Sequence, residues 1–233
     1  CGALGVYRSV EANSPGAFNV LVMGPWMHGG WARAEGDTLG DVRFDAKTAE
    51  FYRENIELVF FNSVLKDKGK LDLPEAYVFE TGTNPWRKFD AWPPKQTVPK
   101  ALYFHAGGKR SFDPPTSNEA NTFDEYVSDP AKPVPYIPGF SLSMATRYMT
   151  DDQRLAGRRP DVLVYQSDVL EEDISVAGPL QASLFVSTTG TDSDWIVKLV
   201  DVYPDQFPDD KGNVNNTLDG NEQLVRGEVI RGM

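Results

Sequence analysis

Asn19-Val20-Leu21-Val22-Met23-Gly24-Pro25-Trp26-Met27-His28-Gly29-Gly30-Trp31 is the stretch that decides how this chain is read. Phe18–Met23 is a largely apolar run of strand length, the pattern of a strand covered on both faces. It breaks at Gly24–Pro25 into a loop that sets one histidine between glycines and tryptophans. A histidine presented at the end of a buried strand suits proton transfer, but it needs a partner group.

Upstream, residues 2–12 place Leu4, Tyr7 and Val10 on one helical face, and Asn13–Ser14–Pro15–Gly16 breaks the helix. Downstream, Asp45 reads as an N-cap and Ala46–Lys66 as one long helix. Its buried stripe is expected at Ala49, Tyr52, Ile56, Val59, Phe60, Ser63 and Val64, widened by Phe61, with Gly69 as the stop. From Leu71 the helical period is lost. Short β-branched and aromatic runs follow: Ala76–Glu80, Ala101–His105, Asn121–Tyr126, Asp161–Gln166, Leu180–Thr188, Trp195–Tyr203 and Leu224–Arg231. Turn residues and stiff prolines (Pro93–Pro94, Pro114–Pro115, Pro130–Pro138) separate them, which predicts a β-sandwich or jelly roll. The expected fold class is therefore α/β plus all-β, with residues 1–70 in the first part and 71–233 in the second.

Composition limits the function classes. The 233 residues are 40% hydrophobic and 24% charged, as in a globular protein. The net charge of −11 disfavours nucleic acid and anionic membrane surfaces as partners. No apolar stretch approaches the roughly 20 residues that span a bilayer. A single cysteine, Cys1, excludes an internal disulfide and a cysteine-built metal site. As an N-terminal nucleophile Cys1 fits poorly, because such a residue opens a strand and residues 2–12 read as helix.

Among residues able to carry chemistry, His28 stands first. In α/β-hydrolases the triad order is serine, acid, histidine, with the histidine on a loop beyond a late strand. The strand–loop–helix order at 18–66 fits that position; the plainer reading is a structural histidine. No Gly-x-Ser-x-Gly elbow is present, and Ser141 in Gly139–Ser143 reads as structural because the second glycine is missing. His28 and His105 would have to bridge both halves of the chain to share a metal, and His105 reads as a strand-end residue. The acidic stretch Asp205–Glu222 lacks the calcium-loop spacing and reads as a hairpin loop. No phosphate-cradling glycine loop occurs, so no cofactor and no metal is expected.

Gly24–Trp31 resembles the histidine motif of the X-Pro dipeptidyl-peptidase and cocaine-esterase superfamily, and within it the α-amino-acid ester hydrolases and glutaryl-7-aminocephalosporanic-acid acylase-like proteins. The resemblance continues through Phe60–Phe61 with Leu65–Lys66, Phe79–Trp86, Trp92–Pro94, Arg158–Tyr165, Asp192–Trp195 and Gln223–Glu228. It implies an α/β-hydrolase domain ending near Leu71, followed by a jelly-roll domain truncated at its end. It also implies ester or amide hydrolysis through a serine acyl-enzyme, with His28 as general base. The family's Gly-x-Ser-Tyr-x-Gly elbow, its aspartate, its oxyanion-hole tyrosines and its acidic amine-binding cluster have no matching positions here. The chain thus reads as a C-terminal fragment, inert by itself, of an enzyme for small acyl esters, amides or short peptides. Related enzymes are often exported or periplasmic and oligomeric, so a periplasmic or secreted location and a homo-oligomer are implied by the resemblance alone; the residues of this chain fix neither. The alternative is a β-sandwich module that binds carbohydrate or another ligand through Trp86 or Trp92.

Overall fold

The structure is a computed structural model that describes residues 2–119, 122–137, 139, 146–207 and 218–232. Cys1 and Ser141 lie outside the described residues, as does Asn121. The chain divides into two compact units, residues 1–97 with 177–179, and residues 98–176 with 180–233.

The first unit opens with helix α1 (Gly2–Asn13) and strand β1 (Leu21–Met23). The short helix α2 (Gly30–Arg33) and the hairpin β2 (Thr38–Leu39) and β3 (Val42–Arg43) follow. A continuous helical rod then runs as α3 (Thr48–Tyr52), a π-helical turn (Arg53–Glu57) and α4 (Leu58–Lys66). Strands β4 (Ala76–Phe79) and β5 (Trp86–Phe89) complete the unit. β4 is the central strand of a three-stranded sheet. It runs parallel to β1, with Leu21 opposite Ala76, and antiparallel to β5, with Phe79 opposite Trp86. Because β4 supplies the middle of this sheet, packing carries the unit past Leu71 to Thr97.

Two apolar clusters hold it together. Tyr7, Leu21 and Ala76 are buried against Leu4, Met23, Val78, Phe89 and Trp92. Leu39, Phe44 and Phe79 are buried against Val42 and Trp86. The Tyr7 hydroxyl donates to Glu75 Oε1 at 2.7 Å, which ties α1 to the segment entering β4. Burial, reinforced by the Glu75 carboxylate, pushes the Tyr7 phenol up to about 12.

Several local expectations are corrected. The strand is confined to Leu21–Met23; Phe18 lies outside it, 57% exposed, with its ring on Phe60. Asp45 does not cap the long helix: it has φ +49, and the rod starts at Thr48. The first helical amides instead find carbonyls of the preceding loop. Thr48 N–H donates to Gly36 O, while Ala49 N–H and Glu50 N–H both donate to Glu35 O. Asp67, in the left-handed region at φ +50, ends the rod before Gly69 is reached. Ala49 and Ile56 are buried as the stripe requires, but Phe61 and Val64 are 49% and 50% exposed, and α4 has no buried residue.

In the second unit, β6 (Tyr103–His105) and β7 (Lys109–Ser111) form one hairpin. A 3₁₀ turn (Thr146–Met149) and the short helix α5 (Arg154–Gly157) lead toward a long antiparallel ribbon of β8 (Ser193–Val202) and β9 (Glu222–Gly232). The ribbon carries a register shift between Leu199 and Val200. Its connection is closed by Tyr203 N–H to Asn221 O and Gly220 N–H to Pro204 O, which makes the described part of Asp205–Glu222 a hairpin loop. Among the described residues the runs at 122–126, 161–165 and 180–188 join no ladder, and Gln166 bridges to Lys109. Their β-favouring composition is a local preference, and a strand also needs a neighbour to pair with.

Candidate active-site loop

The histidine loop is built by close packing around Trp26. A Cβ on Gly24 would lie 2.4 Å from the Trp26 ring, so only glycine lets the indole fold back over the end of β1. The indole N–H donates to Thr48 Oγ1 at 2.8 Å, and that hydroxyl donates to Gly36 O at 2.6 Å. Thr48 is fully buried. Gly36 has φ +79, and a Cβ there would sit 2.5 Å from Ala49 N. Trp26 also packs on Tyr52 and Trp86 at ring separations of 5.1 and 5.9 Å.

The loop's far end is held by charge. Arg53, the first residue of the π-helical turn, donates from Nη1 to Trp31 O and Ala34 O, both at 2.8 Å. These carbonyls close α2, where a cation is favoured. Between the two anchors, Gly30 N–H donates to Met27 O at 2.9 Å, which makes a turn around His28 and Gly29. Gly29 takes φ +78 there.

His28 therefore stands exposed on a turn whose two ends are fixed. Its ring meets the edge of Trp31 at 5.8 Å and 87°, and it has no hydrogen-bond partner among the described residues. The imidazole is exposed on an anchored turn, and an imidazole in such a setting can exchange a proton with a group brought up to it. His105 belongs to the other unit, where it closes β6.

Thr48 and Arg53 anchor the loop without belonging to any sequence motif. A threonine at the start of a helix is a visible signal, but its bond to an indole 22 residues away is not. Trp86 and Trp92 are half-buried and pack against the two apolar clusters.

Residues 69–231 match the model of the X-Pro dipeptidyl-peptidase C-terminal non-catalytic domain, and the chain belongs to this family, within the X-Pro dipeptidyl-peptidase and cocaine-esterase superfamily. It is similar to the cocaine esterase of Rhodococcus sp. (strain MB1 Bresler), with 31% identity over 199 residues, covering 79% of this chain and 33% of that protein. An aminopeptidase from a marine sediment archaeon, Thaumarchaeota archaeon, superposes with a TM-score of 0.86 at 37% identity, covering 99% of this chain and 37% of that one. An α-amino acid ester hydrolase superposes with a TM-score of 0.85 at 38% identity, covering 99% and 38%. The chain thus spans about a third of the length of the relatives it matches, and it is a C-terminal piece of such a protein.

Proposed function

We propose that this chain is the C-terminal segment of a serine acyl hydrolase and that His28 is its general base. In this reading residues 1–70 complete an α/β-hydrolase domain and residues 71–233 form the jelly-roll domain. His28 Nε2 takes the proton of a serine hydroxyl supplied by the upstream polypeptide, and an upstream carboxylate orients Nδ1–H. The same proton then goes to the leaving alcohol or amine of a small acyl ester, amide or short peptide.

The observation that carries this reading is the state of His28. The Trp26–Thr48–Gly36 bonds and the Arg53 clamp fix both ends of its turn, while its ring is left unbonded among the described residues. A structural histidine would spend its ring nitrogens on such an anchored loop. The names of the relatives, an esterase, an aminopeptidase and an ester hydrolase, support the same reaction class. The test compares hydrolysis of amino acid esters by this chain and by the longer polypeptide that carries it. Turnover by the longer polypeptide with only background hydrolysis by the chain is expected. Ester turnover by the chain alone overturns the reading.

A further inference from the structure

His105 is wired quite differently from His28. Its Nδ1 lies 3.3 and 3.4 Å from the two carboxylate oxygens of Glu119. Its Nε2 lies 3.0 Å from Ser111 Oγ and 3.2 Å from the Asp113 carbonyl. The imidazole is 16% exposed and the Glu119 side chain 24%. In the hairpin register Tyr103 faces Ser111 and His105 faces Lys109, so His105 and Ser111 are diagonal neighbours on one face. Glu119 is itself held by the Thr116 amide and hydroxyl at 3.0 Å each, and these bonds, with His105, keep its carboxyl below the usual carboxylate range.

The hydrogen-bond roles follow from the atoms. An ionised carboxylate only accepts, so Nδ1 carries a proton facing Glu119. In the neutral ring the lone pair is then on Nε2, directed at Ser111 Oγ. Ser111 Oγ already accepts from the Asp113 amide at 3.1 Å, which leaves its own hydrogen for Nε2 or for the Asp113 carbonyl, 3.2 Å away. After the proton passes to Nε2, the imidazolium keeps Glu119 on one side and gains the Asp113 carbonyl as acceptor on the other. Each ring nitrogen thus has a partner along the line from Glu119 through His105 to Ser111 Oγ, the geometry in which an imidazole takes the proton of a hydroxyl nucleophile.

We propose that Ser111 is an activated hydroxyl, a covalent modification site for acyl and phosphonyl electrophiles, with His105 as its base and Glu119 as a positioning residue. With a fluorophosphonate the Ser111 Oγ–P bond forms, the P–F bond breaks and fluoride leaves, and the Oγ proton goes to His105 Nε2. The Asp113 amide points at Oγ itself rather than at a developing oxyanion, so the site takes one adduct and does not sustain turnover. This proposal does not depend on the role of His28.

The test is labelling of this 233-residue chain with an alkyl fluorophosphonate, with the adduct mapped by peptide mass spectrometry. One adduct per chain, on the peptide carrying Ser111, is expected. Ser111→Ala removes it, and His105→Gln slows it by roughly 100-fold. Glu119→Gln lowers the maximal labelling rate roughly tenfold or more while leaving the half-saturating probe concentration unchanged, a split that general loosening of the loop does not produce. No adduct on Ser111 in the unaltered chain, an adduct on another serine instead, or equal labelling of His105→Gln overturns the proposal.

Discussion

Replacing Thr48 by valine isolates the bond that fixes the histidine loop. The change exchanges a hydroxyl for a methyl at a fully buried site, with little change in shape. Two hydrogen bonds are lost, to Gly36 O at 2.6 Å and from Trp26 Nε1 at 2.8 Å. The Gly36 carbonyl keeps the Thr48 amide at 3.3 Å, so its loss is one ordinary bond, about 1 kcal/mol. The Trp26 indole is left as a part-buried donor without an acceptor, which adds about 1–2 kcal/mol. The expected destabilisation of the first unit is thus about 2–3 kcal/mol. Urea unfolding followed by tryptophan fluorescence reads it, because Trp26, Trp31, Trp86 and Trp92 lie in this unit and only Trp195 lies in the other. In a Trp26→Phe background no indole is stranded, so Thr48→Val should cost about 1–2 kcal/mol less there. A cost below about 0.5 kcal/mol, or an equal cost in both backgrounds, would refute the reasoning.

Gly36→Ala should destabilise the same unit by about 2 kcal/mol or more, since it combines φ +79 with a Cβ placed 2.5 Å from backbone; unfolding in urea checks this. For Tyr7 the folded pKa, about 12, lies above the ordinary 10, so the folded state holds the proton longer. Its contribution is complete below pH 10 and is lost as pH rises from 10 to 12, by up to about 2–3 kcal/mol. The stability gap between the unaltered chain and Tyr7→Phe should therefore narrow from pH 9 to pH 11 in denaturant titrations. His28→Ala should shift the unfolding midpoint negligibly, with a change under about 0.5 kcal/mol, because the ring is exposed and makes no hydrogen bond among the described residues.

The elements that were legible in the sequence are those whose signal is local. The 3.6-residue spacing of Leu4, Tyr7 and Val10 belongs to α1, and the run before Gly24 contains β1. Ala49 and Ile56 are buried where the helical period put them. Features set by distant partners were not legible. The helix start at Thr48 depends on carbonyls of Glu35 and Gly36, which satisfy the first amides without a side-chain cap. The π-helical turn leaves no mark in the hydrophobic period, yet it supplies Arg53 to the end of α2. Leu180–Thr188 has strand composition but no strand partner among the described residues, and Phe185 is fully exposed. For the candidate sites, glycines and tryptophans around His28 announced the loop, while the Glu119–His105–Ser111 chain joins residues up to 14 apart in a proline-rich region with no motif.

The most direct test of the central claim is the hydrolysis rate of an amino acid ester by the longer polypeptide carrying this segment, with His28 intact and with His28→Ala. As general base in a serine triad, His28 should carry most of the rate, and loss of the equivalent group in a related triad costs on the order of 10⁶-fold. A fall of at least roughly 10³-fold in kcat, with the fold unchanged by circular dichroism, is the predicted result. Full activity in the alanine variant would contradict the assignment of His28 as the base.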